Sequence, residues 1–138
     1  MKKPDEFIII DDDEMVNLLC GIAIRLAFNK DTEVKTFTQP DDGVNYLKDG
    51  NKKTDFKTVV FLDTNMPITD GWEALRIIEK LDESIKKQLS VFMLSSSIDP
   101  NDKKRAMEHP LVLDFIEKPL TIAKIESIFK SDVNKQMD

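Results

Sequence analysis

The chain alternates between short apolar runs and amphipathic stretches. Phe7-Ile8-Ile9-Ile10 is four apolar residues in a row, stopped abruptly by Asp11-Asp12-Asp13. A run this short between turn signals fits a strand buried on both faces. From Glu14 to Phe28, Met15, Leu18, Leu19, Ile22 and Leu26 recur at helical spacing, which predicts a helix whose leucines enter the core around Cys20. Glu33 to Phe37 alternates like a strand, and Asp41 to Lys48 reads as a short helix. Thr58 to Leu62 is a second buried run, again stopped by an acid, Asp63. Asp70 to Leu81 sets Leu75, Ile78 and Leu81 on one helical side. Ser90 to Leu94 is a third apolar run, followed by Ser95-Ser96-Ser97. Asp99-Pro100 is a helix start, a capping residue followed by proline at the first helical position. That helix ends near His109-Pro110, and Leu111 to Ile116 is the last strand, closed by Glu117-Lys118-Pro119. Thr121 to Phe129 carries Ile122, Ile125 and Phe129 on one side of a final helix.

Five strands alternating with five helices predict an α/β fold: a doubly wound, five-stranded parallel sheet covered by helices on both faces, a three-layer sandwich. Two polar stretches, Lys48 to Lys57 and the tail from Ser131, read as unstructured. The expected organisation is one domain over residues 1–130 and a polar tail over 131–138.

Composition narrows the function. The 138 residues are 41% apolar, enough for one core and too few for a second output domain alongside it. A net charge of −6 argues against a nucleic-acid footprint, which needs a basic face. One cysteine cannot form an internal disulfide, which suits a reducing compartment. No apolar stretch reaches the length of a signal-peptide core or a membrane span, so a cytoplasmic protein away from membranes is expected.

In an open parallel sheet, ligands bind outside the carboxyl ends of the strands. Asp11 and Asp12 follow the first strand, Asp63 the third, Ser95 the fourth and Lys118 the fifth. If the sheet forms as read, three carboxylates, a hydroxyl and an ammonium gather at one edge. Oxygen donors favour Mg²⁺ or Mn²⁺, whereas zinc prefers nitrogen and sulfur ligands. A cation relieves the repulsion among crowded carboxylates and lets a phosphoryl group approach. Asp63 can then attack phosphorus, with Lys118 and Ser95 contacting the phosphoryl oxygens.

Phe-Ile-Ile-Ile-Asp11-Asp12, the segment Leu62-Asp63 to Asp70-Gly71, Met93-Leu94-Ser95-Ser96 and Glu117-Lys118-Pro119 resemble receiver domains of two-component response regulators. The resemblance runs from Phe7 to about Phe129 and resides in four motifs in order at four strand ends. It implies a flavodoxin-like (βα)5 fold, as in stand-alone chemotaxis-type regulators. It also implies a phosphoacceptor at Asp63 and metal ligands Asp12, Asp63 and the backbone carbonyl of Asn65, with Asp11 holding a metal-bound water. Lys118 would contact the phosphoryl group, Ser95 and Phe115 would form the switch, and Asn65 and Ser97 would tune phosphate lifetime. The implied partners are a histidine kinase or histidine phosphotransfer protein upstream and an unknown protein downstream. The Lys118-Pro119 bond is a candidate cis peptide. Phe115 departs from the tyrosine common at the aromatic switch position, and the loop around Asn51 to Asp55 is longer than usual. Asp13 extends the acidic pair to three, and the first two are assigned by their distance from the apolar run.

Two other readings use the same residues. A haloacid-dehalogenase-type phosphohydrolase would use Asp11-x-Asp13 after the first strand with Ser95 and Lys118, but it gives Asp63 no role. A receiver-like module that is never phosphorylated would not need all five site residues. Bland readings fit elsewhere: Cys20 as core packing, His109 as a surface residue without a partner for metal or nucleophilic work, Trp72 as half-buried surface, and Lys103-Lys104-Arg105 as a solvated helix face rather than a docking patch for an acidic partner.

Overall fold

The computed structural model describes residues 4–50, 55–66, 70–97 and 99–129. The long-loop positions 51–54, the motif positions Pro67, Ile68 and Thr69, and the tail from Ser131 lie outside these residues.

Five strands, β1 (Glu6–Ile10), β2 (Val34–Phe37), β3 (Thr58–Asp63), β4 (Leu89–Ser95) and β5 (Val112–Glu117), form one all-parallel sheet in the order β2-β1-β3-β4-β5. The chain leaves β1 toward one edge and returns on its other side at β3. Loops therefore diverge above the β1–β3 pair, the position where such sheets hold their ligands. The helices are α1 (Glu14–Ala27), α2 (Pro40–Asp49), α3 (Gly71–Glu79), α4 (Glu83–Lys86), α5 (Pro100–Met107) and α6 (Ile122–Ile128). The doubly wound sandwich expected from the alternation is the fold observed, with α4 as one additional helical turn.

Side-chain alternation along the strands sorts the core into two layers. Phe7, Ile9, Phe61, Phe92 and Leu94 face α1 and α6, where rings of Phe7, Phe28, Phe61, Phe92 and Phe129 meet at stacked, tilted and edge-on angles. Ile8, Ile10, Val60, Leu62 and Met93 face the other way, against Val44, Leu47, Leu75, Ile78 and Ala106 of α2, α3 and α5. The register between β4 and β5 shifts after Val91: Val91 pairs with Val112, but Phe92 pairs with Asp114. Leu113 is the extra, bulged residue and is exposed. It allows Val112 and Phe115, an odd number of residues apart, to share one face.

One expectation needs correction. Met15, Leu18, Leu19, Ile22 and Leu26 of α1 do not enter the core; all five are exposed. The inward face is Asn17, Cys20, Gly21, Ala23 and Ile24. Polar anchors set this rotation. The Asn17 amide donates to the Asp11 carbonyl at 2.9 Å and to the Phe37 carbonyl at 3.5 Å, and the Asp13 carboxylate caps the helix by accepting from the Met15 N–H. Small residues then let the helix lie close to the sheet. The His109 Nδ1 lies 2.5 Å from Glu79 Oε1, tying the turn after α5 to the end of α3. Lys103, Lys104 and Arg105 are exposed, as expected of a solvated helix face, and the Arg105 guanidinium lies 4.2 Å from the Trp72 ring centroid. Trp72 itself is half-buried and Cys20 is buried, as expected.

Candidate functional site

Parallel pairing of Ile10 with Leu62 places the next residues, Asp11 and Asp63, side by side at the carboxyl edge. Both are buried, Asp11 completely and Asp63 at 2% exposure. Lys118 follows the last residue of β5, and its N–H donates to the Ser95 carbonyl at 2.7 Å. From there its side chain reaches back over the end of β4. Lys118 Nζ lies 2.7 Å from Asp11 Oδ2 and 3.1 Å from Asp63 Oδ1. The Lys118-Pro119 bond is cis.

The three consecutive acids do three different jobs. Asp11 turns inward, and its Oδ1 also accepts the Asp13 N–H at 2.9 Å. Asp12 is exposed at the mouth of the site. Asp13 caps α1. The register chosen by distance from the apolar run therefore matches the geometry, and the capping role explains why a third acid is present.

Carboxylate oxygens of Asp11, Asp12 and Asp63 lie within 4.8 Å of one another. Among the described residues, the positive group paired with this cluster is Lys118. Burial, reinforced by the Asp11 charge, raises the Asp63 pKa, while the Asn65 N–H and the Lys118 ammonium oppose the rise. Burial alone would lower Lys118, but its pairing with Asp11 and Asp63 outweighs that, and its pKa is raised. Asp11 Oδ2 is fully shielded and has the ammonium beside it but no hydrogen bond of good geometry. An all-oxygen donor set with excess negative charge and an under-satisfied oxygen fits a hard dication such as Mg²⁺ or Mn²⁺.

The backbone around Asp63 is closely held. Asn65 N–H donates to Asp63 Oδ1 at 3.2 Å, turning the chain over the carboxylate. Thr64 N–H donates to the Leu94 carbonyl, and Gly71 N–H donates to the Thr64 carbonyl. A Cβ on Gly71 would fall 2.1 Å from the Asp63 carbonyl oxygen, so only glycine lets α3 begin here.

Asp11, Asp12, Asp63 and Lys118 are thus brought together. Ser95 stands at the same edge, one residue past Leu94, the pairing partner of Asp63. Its hydroxyl donates to the Ser97 carbonyl at 2.7 Å. Phe115 is separate from the charged groups, buried in the layer that includes Ala106 of α5. Two supporting residues escaped sequence reasoning. Asn17 holds the loop of Asp11, and its signal is a polar residue on the helical face shared by Cys20 and Ile24. Lys124 donates to the carbonyls of Glu117 at 2.6 Å and Pro119 at 3.0 Å, on either side of Lys118. Nothing in the sequence separates it from other lysines.

Comparison with known proteins places this geometry. The family model of the response regulator receiver domain matches residues 7–130. A two component response regulator from Cytophaga hutchinsonii is similar, with 28% identity over 96% of this chain and 99% of that one, at a TM-score of 0.81. A response regulator receiver protein from Dyadobacter fermentans has 28% identity over 91% and 95% of the two chains, at 0.75. A response regulator receiver domain protein from Methanospirillum hungatei has 26% identity over 95% and 98%, at 0.66. A search of curated proteins found no match.

Proposed function

The chain belongs to the response regulator receiver domain family, and we propose that it accepts a phosphoryl group on Asp63 and passes the signal on by switching a partner-binding face. The observation that carries the reading is the Lys118 ammonium set between Asp11 and Asp63, 2.7 and 3.1 Å from their oxygens. An aspartate in an ordinary buried ion pair has one partner. Here two buried carboxylates share one cation beside a third acid.

The donor is a histidine kinase or a histidine phosphotransfer protein. An Asp63 oxygen attacks phosphorus, the bond from phosphorus to the donor imidazole breaks, and the imidazole leaves with its electron pair. Lys118 moves from pairing carboxylates to pairing a phosphoryl oxygen, so its charge is in place before the reaction. Asp12, Asp63 and the Asn65 carbonyl would hold Mg²⁺, with Asp11 acting through water. When bound, the ion would offset charge on the phosphoryl oxygens. Ser95 gives up its bond to the Ser97 carbonyl to donate to the phosphoryl group. Phe115, packed beneath α5, relays the loop movement to the face formed by α5, β5 and α6, where a downstream protein binds. Asn65, whose N–H donates to Asp63, and Ser97, whose carbonyl accepts the Ser95 hydroxyl, tune how long the acyl phosphate lasts. The protein transforms only itself, in the cytoplasm, and is not an enzyme of metabolism. No helix among the described residues is long and apolar enough to cross a membrane.

The test is incubation with acetyl phosphate and Mg²⁺, read by intact mass. One phosphoryl group should be gained, be labile to hydroxylamine, and be absent in Asp63→Asn. A gain that persists in that variant overturns the assignment. Loss in Asp11→Asn with turnover of generic phosphoesters by the wild type would instead support the dehalogenase-type chemistry.

A further inference from the structure

The face of α1 opposite the core carries five of the eight large apolar residues that are exposed among the described residues. Met15, Leu18, Leu19, Ile22 and Leu26 are between 45% and 67% exposed. Side chains of this size and exposure present on the order of 500 Å², at the top of the range for the largest patch on an ordinary monomer. A specific interface needs roughly 500–800 Å² from each partner, so this patch reaches the lower bound unaided.

Its pattern indicates what covers it. Met15, Leu19, Ile22 and Leu26 are spaced four, three and four residues apart, the seam of a helix that packs on another helix. The spacing is also self-complementary. Laid antiparallel about a dyad between Cys20 and Gly21, Met15 meets Leu26 of the second copy and Leu19 meets Ile22, each layer repeated by the symmetry. Leu18 flanks the seam on the side of Glu14 and Arg25. Antiparallel pairing puts the same flank of each copy together, with Glu14 alongside the other copy's Arg25. Neither Glu14 nor Arg25 forms an ion pair among the described residues. Antiparallel helices also oppose their dipoles favourably.

We propose that α1 is a self-association surface, on which two copies of this chain pair their α1 helices antiparallel. The interface is small, so the dimer is weak and forms in the micromolar range. Because α1 begins next to Asp12, the second copy's Phe28–Lys30 end lies beside the mouth of the Asp63 site. The dimer therefore narrows access for a protein phosphodonor while leaving access for a small one.

Sedimentation equilibrium from about 1 µM to 0.5 mM tests the pairing. The wild type should show a reversible monomer–dimer transition. Leu19→Glu with Ile22→Glu should weaken it at least about thirtyfold, since the two central layers then carry charge. Both side chains are exposed, so the variant should retain its circular dichroism and melting temperature. Glu14→Arg should weaken pairing about threefold to tenfold, and Glu14→Arg with Arg25→Glu should restore it. A wild type that stays monomeric at 0.5 mM, a dimer that survives the glutamate pair, or a charge swap that fails to restore association overturns the proposal. None of these readouts depends on phosphorylation at Asp63, so the two readings fail separately.

Discussion

The two ends of the sheet treat buried acids in opposite ways. At the amino end, Glu6 begins β1 and is buried, and its carboxylate accepts the hydroxyl of Tyr46 from α2. Burial and that hydrogen bond both push the Tyr46 phenol up, so it stays a donor. Among the described residues, the side chain that meets this acid is one neutral donor. At the carboxyl end, two buried carboxylates share a single ammonium beside a third, exposed acid. A chain able to satisfy a buried carboxylate so simply at one end leaves excess charge at the other only where something else is to bind. Imbalance marks the site more clearly than acidity does.

The contrast can be broken in four places. Lys118→Met removes the cation from Asp11 and Asp63 and should cost about 3 kcal/mol in urea unfolding with chelator present. Millimolar Mg²⁺ should recover much of that loss, whereas unchanged stability without metal would erase the difference between the two ends. Gly71→Ala drives a Cβ onto the Asp63 carbonyl. It should cost about 2 kcal/mol in thermal unfolding and slow acetyl phosphate labelling, because the acceptor backbone must shift. Tyr46→Phe leaves Glu6 without its hydroxyl, a loss of about 1–2 kcal/mol with labelling of Asp63 unchanged. A changed labelling rate there would mean that the two ends communicate.

The smallest effect belongs to Cys20, packed behind the site. Burial, with the Asp11 charge, pushes its thiol up from 9.0 to about 11, against the pull of Lys118. The folded state thus holds this proton more tightly than the unfolded state. The stabilisation is complete below pH 9 and is lost as pH rises toward 11. Stability at pH 10 should fall by about 1 kcal/mol relative to pH 8 through this group, and Cys20→Ala should flatten that part of the slope. The same burial should slow alkylation of the native thiol at pH 8 about a hundredfold relative to the unfolded chain.

The five parallel strands, the two-sided burial of β1, β3 and β4, and the gathering of Asp11, Asp63 and Lys118 at one edge were legible in the sequence. Continuous apolar runs ending in charged residues encode them directly. The rotation of α1 was not. Hydrophobic periodicity selects the stripe from Met15 to Leu26, while the opposite face, with Asn17, Gly21 and Ala23, packs on the sheet. A hydropathy pattern does not register a buried amide holding two carbonyls. The His109–Glu79 and Tyr46–Glu6 pairs were equally invisible, because their partners lie 30 and 40 residues apart and meet only through the sheet order.

Leu113 bears on solubility. β5 is an outer strand, and an outer strand that is flat and regular can recruit the edge of another sheet. The surplus residue twists this one away from such pairing while Phe115, Ile116 and Lys118 keep their places. A chain lacking Leu113 could therefore keep its core faces in phase and still be the form that aggregates.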